Sequence, residues 1–313
     1  MIGYAGRRLA AGVVLALLVT MITFSMLSLT FDDVVAGLLG PAATPETIEA
    51  RKTAMGLDRP LPVQYVDWLL HAVRGDFGVS YFTSEPVESA VTARLSVTLS
   101  IVVVALFFTA VVSLTLGVLA ATRGGALDRI TQGISMTGLL VPNLLLAIVL
   151  VYVLAIWLRW FPATGFARFG DDPARWASTI AIPVMALTVA GIAGLTAQVR
   201  GAMIDELRKD YVRTLRTRGL PMRSIVLRHA LRNAVGPALT VLSLEFITMV
   251  GGALIIENIF ALPGYGSYAF NASLQGDVPV IMGVTTFVVM LVVGVNLVVD
   301  LLNGWLNPKA RIH

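Results

Sequence analysis

Apolar residues in this chain gather into long, nearly uninterrupted runs instead of recurring at the intervals of an amphipathic soluble fold. Six runs stand out: Leu9–Leu29, Leu95–Ala121, Ile130–Trp157, Ile180–Val199, Val235–Ile256 and Val280–Trp305. A helix rising 1.5 Å per residue needs about 20 residues to cross a ~30 Å hydrocarbon core. The pattern therefore predicts six membrane-spanning helices. Pro142, Pro183 and Pro237 fall inside or near the ends of three runs. Membrane helices tolerate such breaks where neighbouring helices or a polar cavity satisfy the freed backbone groups. The first run follows Arg7-Arg8 and resembles a secretory leader, but it is long, lacks a clear small-residue cleavage site and has five more runs behind it. It is expected to stay as an uncleaved span.

The polar stretches divide the chain into residues 1–30, with the first span, an intervening region 31–94, and a five-span core 95–313. Within 31–94, Val63, Val66, Leu69, Leu70 and Val73 recur at helical spacing after Pro62, an amphipathic helix suited to a membrane surface. The core is interrupted by a basic loop, 200–234.

Composition and charge sharpen this picture. Hydrophobic residues make up 57% and charged residues 13% of the 313, about half the charged share of soluble domains. With no Cys, thiol catalysis, thiolate metal sites and disulfides are excluded together. His71, His229 and His313 are far apart and lack metal-ligand spacing. Positive charge is concentrated on one side of the expected spans. The amino terminus, loop 122–129, loop 200–234 and the tail hold fifteen of the twenty-three Lys and Arg, against Asp128, Asp205, Glu206 and Asp210. The other side carries eight basic and thirteen acidic residues. The positive-inside rule then places both termini in the cytoplasm and region 31–94 outside, and it accounts for the +4 net charge without nucleic acid.

The basic loop has internal order. Ile204, Leu207, Tyr211 and Leu215 would share one helical face, with charged residues around it. Gly219 suits the position just past a helix end, and Pro221 suits the first turn of a second helix. A helix, a glycine stop and another helix make a docking element for a partner; the simpler reading is a solvated topogenic loop.

This loop resembles the EAA loop of permeases from binding-protein-dependent ABC importers, in their dipeptide/oligopeptide branch. The resemblance rests on Tyr211-Val212-Arg213-Thr214, Gly219, His229-Ala230-Leu231-Arg232-Asn233-Ala234 and Pro237. Leu215 departs from it, standing where the branch usually has Ala. Gly56-Leu57-Asp58-Arg59-Pro60-Leu61, Gly75-Asp76-Phe77-Gly78-Val79-Ser80, Glu257-Asn258-Ile259-Phe260 and Pro263-Gly264-Tyr265-Gly266 extend it over most of the chain. It implies the type I ABC importer permease fold, all α. It also implies a homologous second permease, two cytoplasmic ATPase subunits or domains, and an external substrate-binding protein. Tyr211, Val212, Arg213, Thr214, Leu215 and Gly219 would couple to the ATPase. The cargo would be a di- or oligopeptide, with nickel or glutathione as alternatives.

No cofactor and no catalytic centre are expected. A phosphate-binding loop needs a Lys after its glycines, and Lys52, Lys209 and Lys309 do not follow one. Neither a zinc-binding His-Glu-x-x-His nor a nucleophile elbow occurs. ATP hydrolysis would belong to partner subunits. Two polar residues near the fifth run are candidates for the translocation path, Glu245 and Asn258. Glu245 reads equally well as a lumen residue for a peptide amino end or as an interhelical hydrogen-bonding group. With Asp300 it would also be the relay of a proton-coupled transporter, a rival reading that needs no ATPase and no ordered loop. Asp300 alone suits a structural pairing.

Because native Cys is absent, the topology can be read with single cysteines. Ser84→Cys should react with an impermeant thiol reagent in intact cells, and Ser224→Cys should not. Reversed labelling would overturn the orientation.

Overall fold

The computed structural model describes residues 2–306; the basic tail with Lys309, Arg311 and His313 lies outside the described residues. Every regular segment of more than one bridge among them is helical. In order these are α1 (Ile2–Ser28), α2 (Phe31–Leu39), α3 (Pro45–Ala54), α4 (Leu61–Ala72), α5 (Val87–Arg123) and α6 (Gly125–Leu140). Then come α7 (Asn143–Leu150), α8 (Pro173–Leu207), α9 (Asp210–Thr217), α10 (Met222–Ser224), α11 (Leu231–Ile259), α12 (Tyr265–Gln275) and α13 (Val278–Leu306). A π-helical stretch continues α7 through Val151–Trp157, and another, Ile225–Ala230, joins α10 to α11.

Five helices are long and apolar enough to cross a membrane: α1, α5, α8, the run Met222–Ile259 and α13. The sixth expected span differs from its sequence reading. Ile130–Trp157 is not one helix, because Gly125–Gly138 and Asn143–Trp157 meet at 101°. Val141 and Pro142 between them are extended, at ψ 116° and 135°. The proline ring clashes with a helical conformation at the residue before it, so the chain leaves the helix there. Pro183 and Pro237, by contrast, are accommodated inside α8 and α11.

The chain forms two compact units. The first comprises Thr98–Leu262 and the described residues from Val295 onward. At its centre Leu195, Val199 and Met203 of α8 pack with Val226, Ala230, Ala234 and Ala238. The helices approach closely where side chains are smallest: a Cβ on Gly117 would lie 2.8 Å from that of Val199, and one on Gly138 2.8 Å from that of Ala193. Ala186, Ala190 and Gly194 recur every four residues along α8, but only Ala186 is fully buried, and a Cβ on Gly194 would meet nothing within 4 Å.

The second unit comprises Ile2–Val97 and Pro263–Gly294. Its core joins Phe77, Val87, Val91, Tyr265, Ala272, Val280 and Val284, with Phe24, Phe31, Val278 and Met282 adjoining. Local signals start its helices: Thr44 and Thr47 form a capping box on α3, and Asp32 and Asp33 occupy the first turn of α2, where the helix dipole favours them. The expected amphipathic helix is α4. Val63, Val66, Leu70 and Val73 of its stripe are exposed, while Tyr65 and Trp68 turn toward the core and stack at 5.9 Å.

One buried carboxylate fastens the loop after α4 to the end of α12. Asp277 accepts from Ser80 Oγ at 2.5 Å and from the Tyr81 backbone N–H at 3.2 Å. Burial first, and then the Asp277 charge, push the Tyr81 hydroxyl up to about 12. Asp277→Ala strands two donors and should cost about 1–3 kcal/mol, visible as a lower apparent melting temperature of the solubilised protein. Ser80→Ala should cost less, and an unchanged melting temperature for Asp277→Ala would contradict the assignment.

Candidate functional site: the loop between the two central helices

α8 does not run on through the basic loop. Sequence spacing put Ile204, Leu207, Tyr211 and Leu215 on one face of a single helix, but the helix ends at Leu207 and restarts at Asp210. Lys209 between them is extended, at φ −68° and ψ 149°. The break turns the Lys209 ammonium back onto Glu206. Periodicity across 204–215 was therefore that of two short faces seen in series. In α9 the one fully buried side chain is Val212, with Tyr211 and Leu215 half-buried and Arg213 and Thr214 exposed. The half-buried setting of Leu215 accommodates its bulk.

Glu206 is 5% exposed although it is charged. Its Oε1 accepts from Tyr211 Oη at 2.8 Å and from Asn233 Nδ2 at 2.9 Å, and its other oxygen pairs with Lys209. One carboxylate thus joins the end of α8, the break, α9 and the start of α11. Burial, and after it the bond to Glu206, raise the Tyr211 hydroxyl above its ordinary value, so it stays a donor at neutral pH. Sequence reading singled out Tyr211 but not Glu206 or Asn233 as its partners; nothing in local spacing reveals a contact across 27 residues.

The far end of α9 closes on Gly219. The Leu220 N–H bonds to the Leu215 carbonyl at 3.3 Å, and the Gly219 N–H to that of Arg216 at 3.0 Å. This is a Schellman turn, which needs a left-handed residue at its glycine, and Gly219 has φ +77°. Pro221 then stands before the next helix as its cap, at ψ 141°, rather than inside the first turn as the sequence suggested. Ile225, Val226 and Ala230 bury the following π turn. Nearby within the same unit, Arg200 of α8 grips Asp128 of α6 with both Nε and Nη2, the latter at 2.8 Å.

The two polar candidates for the translocation path do not come together. Both lie on α11, thirteen residues apart, which is about 20 Å along its axis. Glu245 is half-buried and makes no hydrogen bond or ion pair among the described residues. Its Oε1 lies over Gly191 of α8, 2.9 Å from where a Cβ would stand, and Thr109 Cγ2 of α5 is equally close to that point. An ionised carboxylate at mid-span costs about 2.5 kcal/mol or more on insertion scales, so the missing interhelical bond leaves a cavity or a proton to offset it. Asn258 is exposed and donates to Leu254 of its own helix at 2.8 Å. Its neighbour Glu257, fully buried, accepts from Thr98 of α5, a pairing the sequence did not reveal. Asp300 is engaged by a partner. Among the described residues no three His, Asp or Glu side chains are grouped to hold a metal ion.

Residues 113–312 match the family described as the binding-protein-dependent transport system inner membrane component, and residues 1–102 match its N-terminal region. The chain belongs to this family. It is a multi-pass inner-membrane permease. A Brucella abortus protein bearing a peptide transport system permease name is 35% identical over 306 residues, covering 97% of this chain and 98% of its own length. The oligopeptide transport system permease protein AppB of Bacillus subtilis is 32% identical over 315 residues, 99% of each chain. The solved MetNI methionine ABC transporter, in inward-facing conformations, aligns with TM-score 0.58 at 18% identity, over 72% of this chain and all of its own. That likeness establishes the type I importer permease fold.

A Cβ on Gly219 would meet nothing within 4 Å, so substitution there tests backbone conformation alone. Gly219→Val should cost on the order of 1–2 kcal/mol locally, insert normally, co-purify weakly with its ATPase and lose transport. Gly219→Asn, which tolerates the left-handed region, should keep most of both. Wild-type transport by the valine variant would show that the turn does not aim α9.

Proposed function

We propose that this chain is one of two permeases lining the path of an ATP-driven di- or oligopeptide importer, and that α9 is its coupling helix. The observation that carries the reading is α9 itself. It is a short amphipathic helix with its apolar residue Val212 buried, Arg213 and Thr214 exposed, and both ends fixed by specific bonds. An exposed, firmly held helix is what a groove in a separate ATPase can grip, whereas a purely topogenic loop needs no order. The relatives named for peptide transport support the cargo. In this reading both termini and α9 are cytoplasmic, the region 31–94 is external, and a binding protein delivers peptide there. Tyr211, Val212, Arg213, Thr214, Leu215 and Gly219 make or support the ATPase contact. Glu245, without a hydrogen-bond or ion-pair partner among the described residues, borders the path, and Asn258 stands near its external end.

Hydrolysis is then the work of partner subunits, and this chain contributes no catalytic group. In proteoliposomes holding the full complex, uptake of di- and oligopeptides should require both ATP and the binding protein. The purified single chain should show no saturable ATP binding. Uptake driven by a proton gradient without ATP would replace this reading with a secondary transporter.

A further inference from the structure

We infer that Glu206 is a positioning residue for transport: it locks α9 to α8 and α11, so that displacement of α9 moves both long helices. The inference rests on the reading of α9 as the coupling helix and says how its movement is passed on.

Without Glu206, α9 would hang from α8 by a hinge. Arg208 keeps right-handed helical angles as the cap of α8, but Lys209 after it is extended, at ψ 149°. One extended residue between two helices lets the shorter one swivel, and a swivelling helix absorbs a push instead of transmitting it. The Glu206 carboxylate spans this hinge. It stands one residue before the end of α8 and takes donors from Lys209 in the hinge, Tyr211 in α9 and Asn233 in α11. Asn233 Nδ2 also lies 3.4 Å from Tyr211 Oη, closing a triangle of polar atoms.

The position is otherwise unfavourable. A carboxylate in the last turn of a helix meets the negative end of the helix dipole, and a 5% exposed charge has given up most of its water. A residue serving only to end the helix would do better as Lys or Asn. The cost is offset by the three donors, and with so little water present those bonds hold a fixed geometry. Lys209 supplies the compensating charge, and Tyr211 and Asn233 supply direction.

The test uses the whole complex in proteoliposomes, comparing wild type with Glu206→Ala, Glu206→Gln and Tyr211→Phe. Four quantities are read: the amount of chain in the membrane, ATPase co-purification, ATP hydrolysis and peptide uptake. Glu206→Ala should keep the first two near normal while the ATP hydrolysed per peptide rises roughly tenfold, within the usual range of coupling between sites. Glu206→Gln keeps the shape and an acceptor oxygen but loses the Lys209 pair, and should fall between. Adding Tyr211→Phe to Glu206→Ala should change little, because the bond is already gone. A wild-type ratio in Glu206→Ala overturns the inference. If that variant fails to reach the membrane, a wild-type ratio in Glu206→Gln overturns it, and a raised ratio supports it. Should Gly219→Val also leave wild-type coupling, the reading of α9 fails; a normal Glu206→Ala beside a defective Gly219→Val sinks only the lock.

Discussion

A peptide group in hydrocarbon has no water to bond, so each spanning segment must satisfy its own amides and carbonyls. That constraint makes this chain almost wholly helical and leaves side-chain polarity for the segment ends and for a few interior points. It also explains where irregular backbone is found. Val141-Pro142 leaves helical geometry, and Lys209, Gly219 and Pro221 do so in the loop between the two central helices. Each departure in that loop is matched by specific bonds: Glu206 for the break at Lys209, two turn bonds for Gly219, and the Ser224 and Ile225 N–H groups donating to the Pro221 carbonyl.

Charge follows the same economy. Of the four acids that stand among the fifteen basic residues, two are consumed in fixed pairs, Asp128 with Arg200 and Glu206 with Lys209. The arginines of α9 remain exposed and face outward from a well-held helix. The loop therefore presents exposed arginines on a helix whose two ends are held by specific bonds. Glu245 stands apart from this pattern, a carboxylate lying over Gly191 with no hydrogen-bond or ion-pair partner among the described residues.

The elements differ in how far they could be read in advance. α4 and the apolar spans follow directly from spacing and run length, and Gly219 followed from the steric rule that only glycine enters the left-handed region freely. The break at Pro142 was visible as a proline but not as a bend, because Pro183 and Pro237 have the same local signal and stay inside their helices. The continuity assumed from Ile204 to Leu215 failed at Lys209, whose extended backbone separates α8 from α9 although the apolar period runs on across it.

By itself the sequence determined the membrane class, the number of apolar segments, the asymmetry of charge and the place of the basic loop with its glycine turn. All of these depend on a residue and its near neighbours, through hydrophobic run length, helical period or the allowed angles of glycine. Only the tertiary structure decided which acids are paired. Glu206 and Glu257 are buried against donors from distant helices, while Glu245 meets none among the described residues. On the chain these are three similar carboxylates in helical surroundings. What separates them is which side chains of other helices face them, and that depends on helix rotation and close approach, which no local pattern encodes.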